Sequence, residues 1–353
     1  MKILGFVGTA KNTGKTTAAL HMLKLASAAN YRIALTSIGF DGENIDHITG
    51  LPKPRYYAKP GMVIATAQCC LDYGTAQYKD ITSIGIRTIL GDIVIATVTE
   101  AGNVVLAGPN RRVDLQPLLN RLVDMEIDLT FLDGALNRLA AMTLADGIIL
   151  STGAAFNEDI KILTDHISAM EALFLHSQYS GKMPENEVCI QFLQNNKTIQ
   201  ILSTGSVLDE NTLQKIEEWC EEDEVGDIFI PGVFSPHLFK QMAERYAFKF
   251  KGKGFIFASP LNLLSSGSPE IWQSCFSDLR KNGTEIRYLI STPLRFITVN
   301  PFFPKYLQKT ATYSAEYVDK KLLLQLTQNK IQKTPVVDIM QPPHPGLLSL
   351  CQL

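Results

Sequence analysis

Short apolar runs alternate with helix-like stretches along most of the chain. Residues 3–8 and 32–38 are rich in aliphatic side chains, a composition typical of buried strands. Between them, Leu20, Leu23 and Ala26 recur at the spacing of one helix face. Apolar strands that alternate with amphipathic helices indicate a mostly parallel sheet flanked by helices. The sequence therefore predicts an α/β fold.

A polar stretch that contains Gly and Pro, residues 177–187, interrupts the alternation midway along the chain. Such stretches commonly connect compact units, so we place a domain junction there. The predicted domains are residues 1–180 and a second α/β region, residues 188–353. Within the first, residues 92–99 and 104–106 are both apolar and are predicted to pair as a hairpin.

The segment Gly8–Thr17 joins the first predicted strand to the first predicted helix. It reads Gly-Thr-Ala-Lys-Asn-Thr-Gly-Lys-Thr-Thr, and a strand, a Gly-containing loop, Gly-Lys-Thr and a helix in that order predict a phosphate-binding loop. Backbone N–H groups and the helix N-terminus would face the phosphates, with Lys15 at the β and γ oxygens and the Thr16 hydroxyl on Mg²⁺. The alternative is an ordinary Gly/Thr turn before a surface helix.

One position departs from the strict loop pattern, because Thr9 stands where Gly is expected and Gly8 comes one residue early. The segment Gly8–Thr17 nevertheless lies between a predicted strand and a predicted helix, and this position favours a nucleoside triphosphate site. The predicted nucleotide-binding residues are Gly8, Thr9, Lys11, Asn12, Thr13, Gly14, Lys15, Thr16 and Thr17.

Carboxylates at strand ends are the candidates for holding the magnesium ion. Asp133 follows an apolar strand, at the carboxyl edge where ligands of α/β sheets bind, although Asp133-Gly134 could also form a simple turn. Asp41 follows the second strand and is either a second metal ligand or a turn residue. We predict Lys15, Asp133 and Asp41 as catalytic residues and Thr16, Asp133 and Asp41 as metal ligands.

Composition narrows the function classes. The chain has 353 residues, 46% of them hydrophobic, and a net charge of −2, so no basic surface for nucleic acid is expected. No apolar run reaches the roughly 18 residues that would span a bilayer. The first predicted strand begins near residue 3, so we expect no signal peptide and a cytoplasmic protein. Asn-Lys-x-Asp, typical of guanine-specific enzymes, is missing, which favours ATP.

The loop and the segment Phe131–Ala135 together resemble a family. The spacing from Gly8-Thr9 to Gly14-Lys15-Thr16 is similar to the loop of dethiobiotin synthetase, and Phe131–Ala135 resembles its hydrophobic-Glu-Gly-Ala segment, with Asp in place of Glu. The group includes cobyrinate amidases and the molybdopterin-guanine dinucleotide accessory proteins. The resemblance covers roughly residues 1–175 and implies a P-loop NTPase fold, MgATP binding and a homodimer.

Two departures separate the chain from that group. Leu136-Asn137-Arg138 replaces the glycine-rich continuation, and Thr36–Gly39 stands where dethiobiotin synthetase has its substrate-binding lysine pattern. The sequence of the loop and the length of the chain also resemble those of the P-loop subunit of lysine 5,6-aminomutase reactivase. That resemblance implies ATP-driven release of damaged cobalamin, with a second reactivase subunit and the aminomutase as partners.

Three functions therefore remain open: an ATP-driven accessory protein, a MgATP-dependent ligase or kinase, and a nucleotide-binding regulatory module with little turnover. A ligase needs Lys or Arg side chains converging on a substrate opposite Lys15. The sequence offers only Lys11 and Arg111-Arg112 for that role.

Overall fold

A computed structural model describes residues 1–41, 55–134, 139–181, 189–195, 197–202, 210–220, 226–232, 235–340 and 346–353. Its helices, in chain order, are α1 (Lys15–Ala28), α2 (Arg112–Asp124), α3 (Leu139–Met142), α4 (Ile160–Phe174), α5 (Glu210–Cys220), α6 (Pro236–Tyr246), α7 (Pro260–Ser266), α8 (Pro269–Lys281), α9 (Lys320–Lys330) and α10 (Leu347–Leu350).

The strands of the first half of the chain all come before α4. They are β1 (Lys2–Gly8), β2 (Ile33–Ser37), β3 (Phe40–Asp41), β4 (Tyr56–Ala58), β5 (Val63–Ala67), β6 (Gln77–Thr88), β7 (Gly91–Glu100), β8 (Gly102–Val104), β9 (Leu106–Ala107), β10 (Leu129–Asp133) and β11 (Gly147–Gly153).

The later strands follow α4. They are β12 (Ser177–Gln178), β13 (Ile190–Gln194), β14 (Lys197–Leu202), β15 (Asp227–Ile230), β16 (Gly254–Phe257), β17 (Glu285–Tyr288), β18 (Leu294–Asn300), β19 (Phe302–Leu307), β20 (Thr312–Tyr317) and β21 (Val336–Val337).

The chain divides into two compact units. The first contains residues 1–165 and 293–353, and the second contains residues 166–292. This division differs from the predicted domains 1–180 and 188–353, because β18 pairs in parallel with β11. The sequence of an apolar strand such as β18 does not indicate which sheet the strand joins. The hydrophobic pattern alone therefore could not assign β18 to the first unit.

The first unit is built on a mostly parallel sheet, which confirms the α/β prediction at this level. Within the described residues the order is β21-β18-β11-β1-β10-β2-β5-β7-β6. The neighbours from β21 to β5 run parallel, and β7 and β6 are antiparallel additions.

One face of this sheet buries its apolar side chains beneath α1. Leu129 and Phe131 alternate along β10 and belong to the same buried cluster as Phe6 of β1 and Met22 of α1. Side chains two residues apart on a strand share a face, so Asp133 continues the row of Leu129 and Phe131. The core packing therefore places Asp133 on the α1 side of the sheet.

The hairpin predicted between residues 92–99 and 104–106 is wrong. β7 pairs with β5 and β6, whereas β8 pairs with β4. Gly102 lies so close to the backbone of Ala76 that a Cβ atom could not be accommodated. After β7 the backbone at Gly102 therefore passes close to the backbone at Ala76, and the pattern of apolar residues does not predict this approach.

The second unit has its own sheet, in the order β12-β17-β16-β15-β13-β14 within the described residues. Strands β12, β17, β16 and β15 pair in parallel, and β13 and β14 are antiparallel. Aromatic side chains fill the adjoining core: Phe239, Phe255, Phe257, Trp272 and Phe276 contact one another at centroid separations of 5.3–6.3 Å. None of the helices described is both long and apolar enough to cross a bilayer.

His176 makes the stability of the second unit sensitive to acid. Its ring lies edge-on to Phe276 and Tyr288, and burial, with a smaller contribution from the charge of Arg280, lowers its pKa to about 4. The unfolded chain binds this proton near pH 6.5. Between pH 6.5 and 4 the unfolded state therefore holds more protons, and stability falls as the pH falls.

We expect His176→Phe to remove the loss of stability that His176 causes as the pH falls. The free energy of unfolding of the variant should exceed that of the wild type by an amount that grows by up to ~3 kcal/mol between pH 7 and pH 4. Urea titrations followed by tryptophan fluorescence measure it, because Trp219 and Trp272 both lie in the second unit. A difference that does not change with pH would contradict the assignment.

Candidate functional site

The candidate site lies at the carboxyl edge of the first sheet. β1 stands between β10 and β11. The chain passes from β1 across β10 to β2, and later returns from β10 across β1 to β11. Connections that leave in opposite directions open a crevice at the strand ends, where α/β sheets bind ligands. The Gly8–Thr17 loop starts at this crevice.

The loop folds tightly over the end of β1. The Thr13 hydroxyl donates to the Ala10 carbonyl at 2.9 Å, and a Cβ atom on Gly8 would lie 2.8 Å from that hydroxyl oxygen. Gly8 is therefore required because Thr13 packs against it. Asn12, with φ 64°, and Gly14, with φ 91°, turn the chain through left-handed conformations into α1.

Thr9, the residue that departs from the strict pattern, attaches the loop to β11. Its N–H donates to the Ser151 carbonyl at 3.0 Å, and its hydroxyl donates to the Thr152 hydroxyl at 3.0 Å. Thr9 and Thr152 are both buried. A threonine at this position thus supplies an anchor that glycine could not.

Two residues that sequence reasoning missed contact the loop or its anchor. Thr152 bonds Thr9, and the Asn300 side-chain amide donates to the Asn12 carbonyl at 3.0 Å. Asn300 follows the apolar run of β18, 288 residues after Asn12. A polar residue at the end of a parallel strand was the available signal, but it is informative only when the strand is known to lie in this sheet.

Lys15 and Asp133 form an ion pair at the base of the loop. Lys15 Nζ lies 2.5 Å from Asp133 Oδ1, and the side chains are 18% and 1% exposed. Lys15 is the first residue of α1, and Asp133 ends β10 on the face that α1 covers. Residues 118 positions apart therefore meet because helix and strand share one core. The structure brings together two of the three residues predicted to be catalytic.

The remaining predicted residues lie around this pair. Lys11 is exposed, and Thr16 and Thr17 are half-buried in the first turn of α1. The Gly14 cap has no side-chain hydrogen bond, and the first turn carries no acidic residue. The positive end of the helix dipole therefore points out of a turn that carries no carboxylate of its own, and the nearby carboxylate of Asp133 is paired with Lys15.

Asp41 is described by its backbone alone. It lies in β3, paired with Leu106 of β9, and its side chain falls outside the described part of the structure. The prediction that Asp41 binds metal therefore stays a prediction. Ala135, which completes the Asp-Gly-Ala segment, and residues 136–138 also lie outside the described residues.

The arrangement is suited to an anion accompanied by a hard cation. Helix N-terminal amides and a lysine bind phosphate, and Mg²⁺ takes one or two protein oxygens with the rest of its ligands from phosphate and water. Asp133 and the Thr16 hydroxyl fit that requirement. In the described residues, no three His, Cys, Asp or Glu side chains cluster into a metal site made by protein alone.

Comparison with protein-family models, with curated proteins and with solved structures finds no match to this chain. The resemblance to dethiobiotin synthetase and to the reactivase subunit therefore remains an expectation from the residues of the loop and of the Asp133 strand.

The Lys15–Asp133 pair predicts a specific pattern of stability. Lys15→Met keeps the length of the side chain but leaves Asp133 buried beside an apolar group, so we expect a loss of about 3 kcal/mol. The double variant Lys15→Met/Asp133→Asn removes both charges and should recover more than half of that loss. Hydrogen exchange of the β1 and β10 amides measures both effects, because neither tryptophan lies in this unit.

Lys24→Met is the matched control, since Lys24 is an exposed lysine on the same helix. It should change stability by less than about 0.5 kcal/mol. Equal destabilisation by Lys15→Met and by the double variant would show that the ion pair does not explain the effect.

Proposed function

We propose that this chain is an ATP-binding and ATP-hydrolysing accessory protein of the P-loop class. The observation that carries the proposal is the Lys15–Asp133 ion pair beneath the Gly8–Thr17 loop. It puts a lysine, a helix N-terminus and a strand-end carboxylate around one loop, the three groups that phosphoryl-transfer sites combine.

In the proposed mechanism Lys15 changes partner. Without nucleotide it pairs with Asp133, and with ATP it donates instead to the phosphate oxygens. Asp133, once released, and the Thr16 hydroxyl are the groups that would hold Mg²⁺, and the ion would supply positive charge beside the phosphates. The loop amides bind the phosphate oxygens, and the two left-handed residues Asn12 and Gly14 keep the loop in the shape this requires.

The surroundings of the site favour an accessory protein over a ligase. The described strand ends near the loop carry hydroxyl, amide and carboxylate groups, from Thr152, Asn300 and Asp133. Arg111, one candidate for binding an acidic substrate, is held by Asp114 at 2.6 Å. We propose that turnover instead drives a conformational change, as in a reactivase that releases damaged cobalamin from a lysine aminomutase with a second subunit.

Binding of MgATP should depend on Lys15. We expect Lys15→Met to weaken MgATP binding about 100-fold, the loss of a charge-assisted hydrogen bond of about 3 kcal/mol. Titration calorimetry measures the dissociation constant, with Lys24→Met as control at the wild-type value. We expect the double variant Lys15→Met/Asp133→Asn to fold, and it should bind MgATP no more tightly than Lys15→Met does. Wild-type affinity in either Lys15 variant would contradict the nucleotide assignment.

The accessory role should appear as partner-dependent turnover. We expect slow ATP hydrolysis by the chain alone and severalfold faster hydrolysis with the second reactivase subunit and an aminomutase that holds inactive cobalamin. Asp133→Asn should retain nucleotide binding but fail to release the cobalamin, because it weakens the metal site more than the phosphate site. Cobalamin release that is normal in Asp133→Asn, or independent of ATP, would contradict this role, and phosphorylation of a small carboxylic acid would favour a ligase.

A further inference from the structure

We propose that Asn300 is a positioning residue that holds the Gly8–Thr17 loop in its nucleotide-binding shape. The inference rests on the proposed function and adds a residue from the far end of the chain to it. Three observations carry it: the fixed backbone of Asn300, the two hydrogen bonds of its side chain, and the left-handed loop residues that lie beside it.

The backbone of Asn300 is fixed by β11. Asn300 is in register with Gly153, and its carbonyl accepts the Ala154 N–H at 2.9 Å. A Cβ atom on Gly153 would overlap that carbonyl oxygen. Glycine at position 153 thus allows β18 to approach closely, and the approach sets where the Asn300 side chain begins.

The side chain of Asn300 is bonded at both ends. Its Nδ2 donates to the Asn12 carbonyl at 3.0 Å, and its Oδ1 accepts the Phe302 N–H at 3.2 Å. An amide that donates on one side and accepts on the other has only one orientation that satisfies both partners. The Asn300 amide therefore reaches the loop from a rigid strand without freedom to turn away.

The hydrogen bond from Asn300 reaches the loop between its two left-handed residues, Asn12 and Gly14. Asn12 has φ 64° and Gly14 has φ 91°, and an added Cβ on Gly14 would lie 3.5 Å from Asn300 Nδ2. Asparagine adopts positive φ more readily than other non-glycine residues, but the conformation still has a cost that surrounding contacts can offset. Asn300 supplies such a restraint on the peptide that follows Asn12, so its loss should lower the fraction of loops in the binding shape.

The apparent dissociation constant rises in inverse proportion to the fraction of loops in the binding shape, and the chemistry of the bound complex is unchanged. For Asn300→Ala we therefore expect the dissociation constant for MgATP to rise about tenfold, while kcat at saturating MgATP changes less than twofold. Asn300→Leu, which keeps the volume against Gly14 but has no amide, should behave in the same way.

Asn282→Ala is the matched control. The Asn282 side chain also donates from Nδ2 to a backbone carbonyl, that of Asp278 at 2.9 Å, but in the second unit. It should leave the affinity for MgATP at the wild-type value. Hydrogen exchange without nucleotide supplies a second readout: the amides of residues 8–17 should exchange faster in both Asn300 variants, and those of β11 should stay protected, which shows that the fold is intact.

The outcomes separate the two proposals. Wild-type protein that fails to bind MgATP contradicts the proposed function. Wild-type protein that binds MgATP, with unchanged affinity and unchanged loop exchange in Asn300→Ala and Asn300→Leu, overturns the positioning role alone. A fall in kcat without a change in affinity also overturns it, because Asn300 would then act on the chemical step.

Discussion

The buried ion pair between Lys15 and Asp133 is the interaction on which the candidate site depends. A carboxylate with 1% exposure is costly unless a cation lies beside it. That cation is supplied by the first residue of α1, so the pair requires α1 to begin where it does and β10 to end where it does. The Gly8–Thr17 loop joins β1, the sheet neighbour of β10, to the first turn of α1.

The same site depends on strands that are distant in sequence. Thr152 at the end of β11 bonds Thr9, and Asn300 at the end of β18 bonds the Asn12 carbonyl. Parallel pairing of β1, β11 and β18 aligns their carboxyl ends, and β11 and β18 each contribute one side chain that holds the loop at the end of β1. The final segment, residues 293–353, is therefore part of the unit that contains the candidate site.

The predictable features were those encoded in neighbouring residues. The apolar run of β1, the loop and the first turn of α1 form one continuous stretch of sequence, and Asp133 ends the apolar strand β10. The wrong hairpin and the misplaced β18 share a different cause. Both concern which strands pair, and apolar strands are alike enough that pairing follows from burial and close backbone approach, as at Gly102 and Gly153.

The sequence by itself determined an α/β architecture, the loop between β1 and α1, and the choice of Lys15 and Asp133, because local periodicity and short motifs act within a few residues. Only the tertiary structure decided that Lys15 meets Asp133, that Thr9 is an anchor to β11, and that Asn300 reaches the loop. Those contacts follow from the order of strands in the sheet. That order depends on the packing of the whole core, and no single segment of the sequence encodes it.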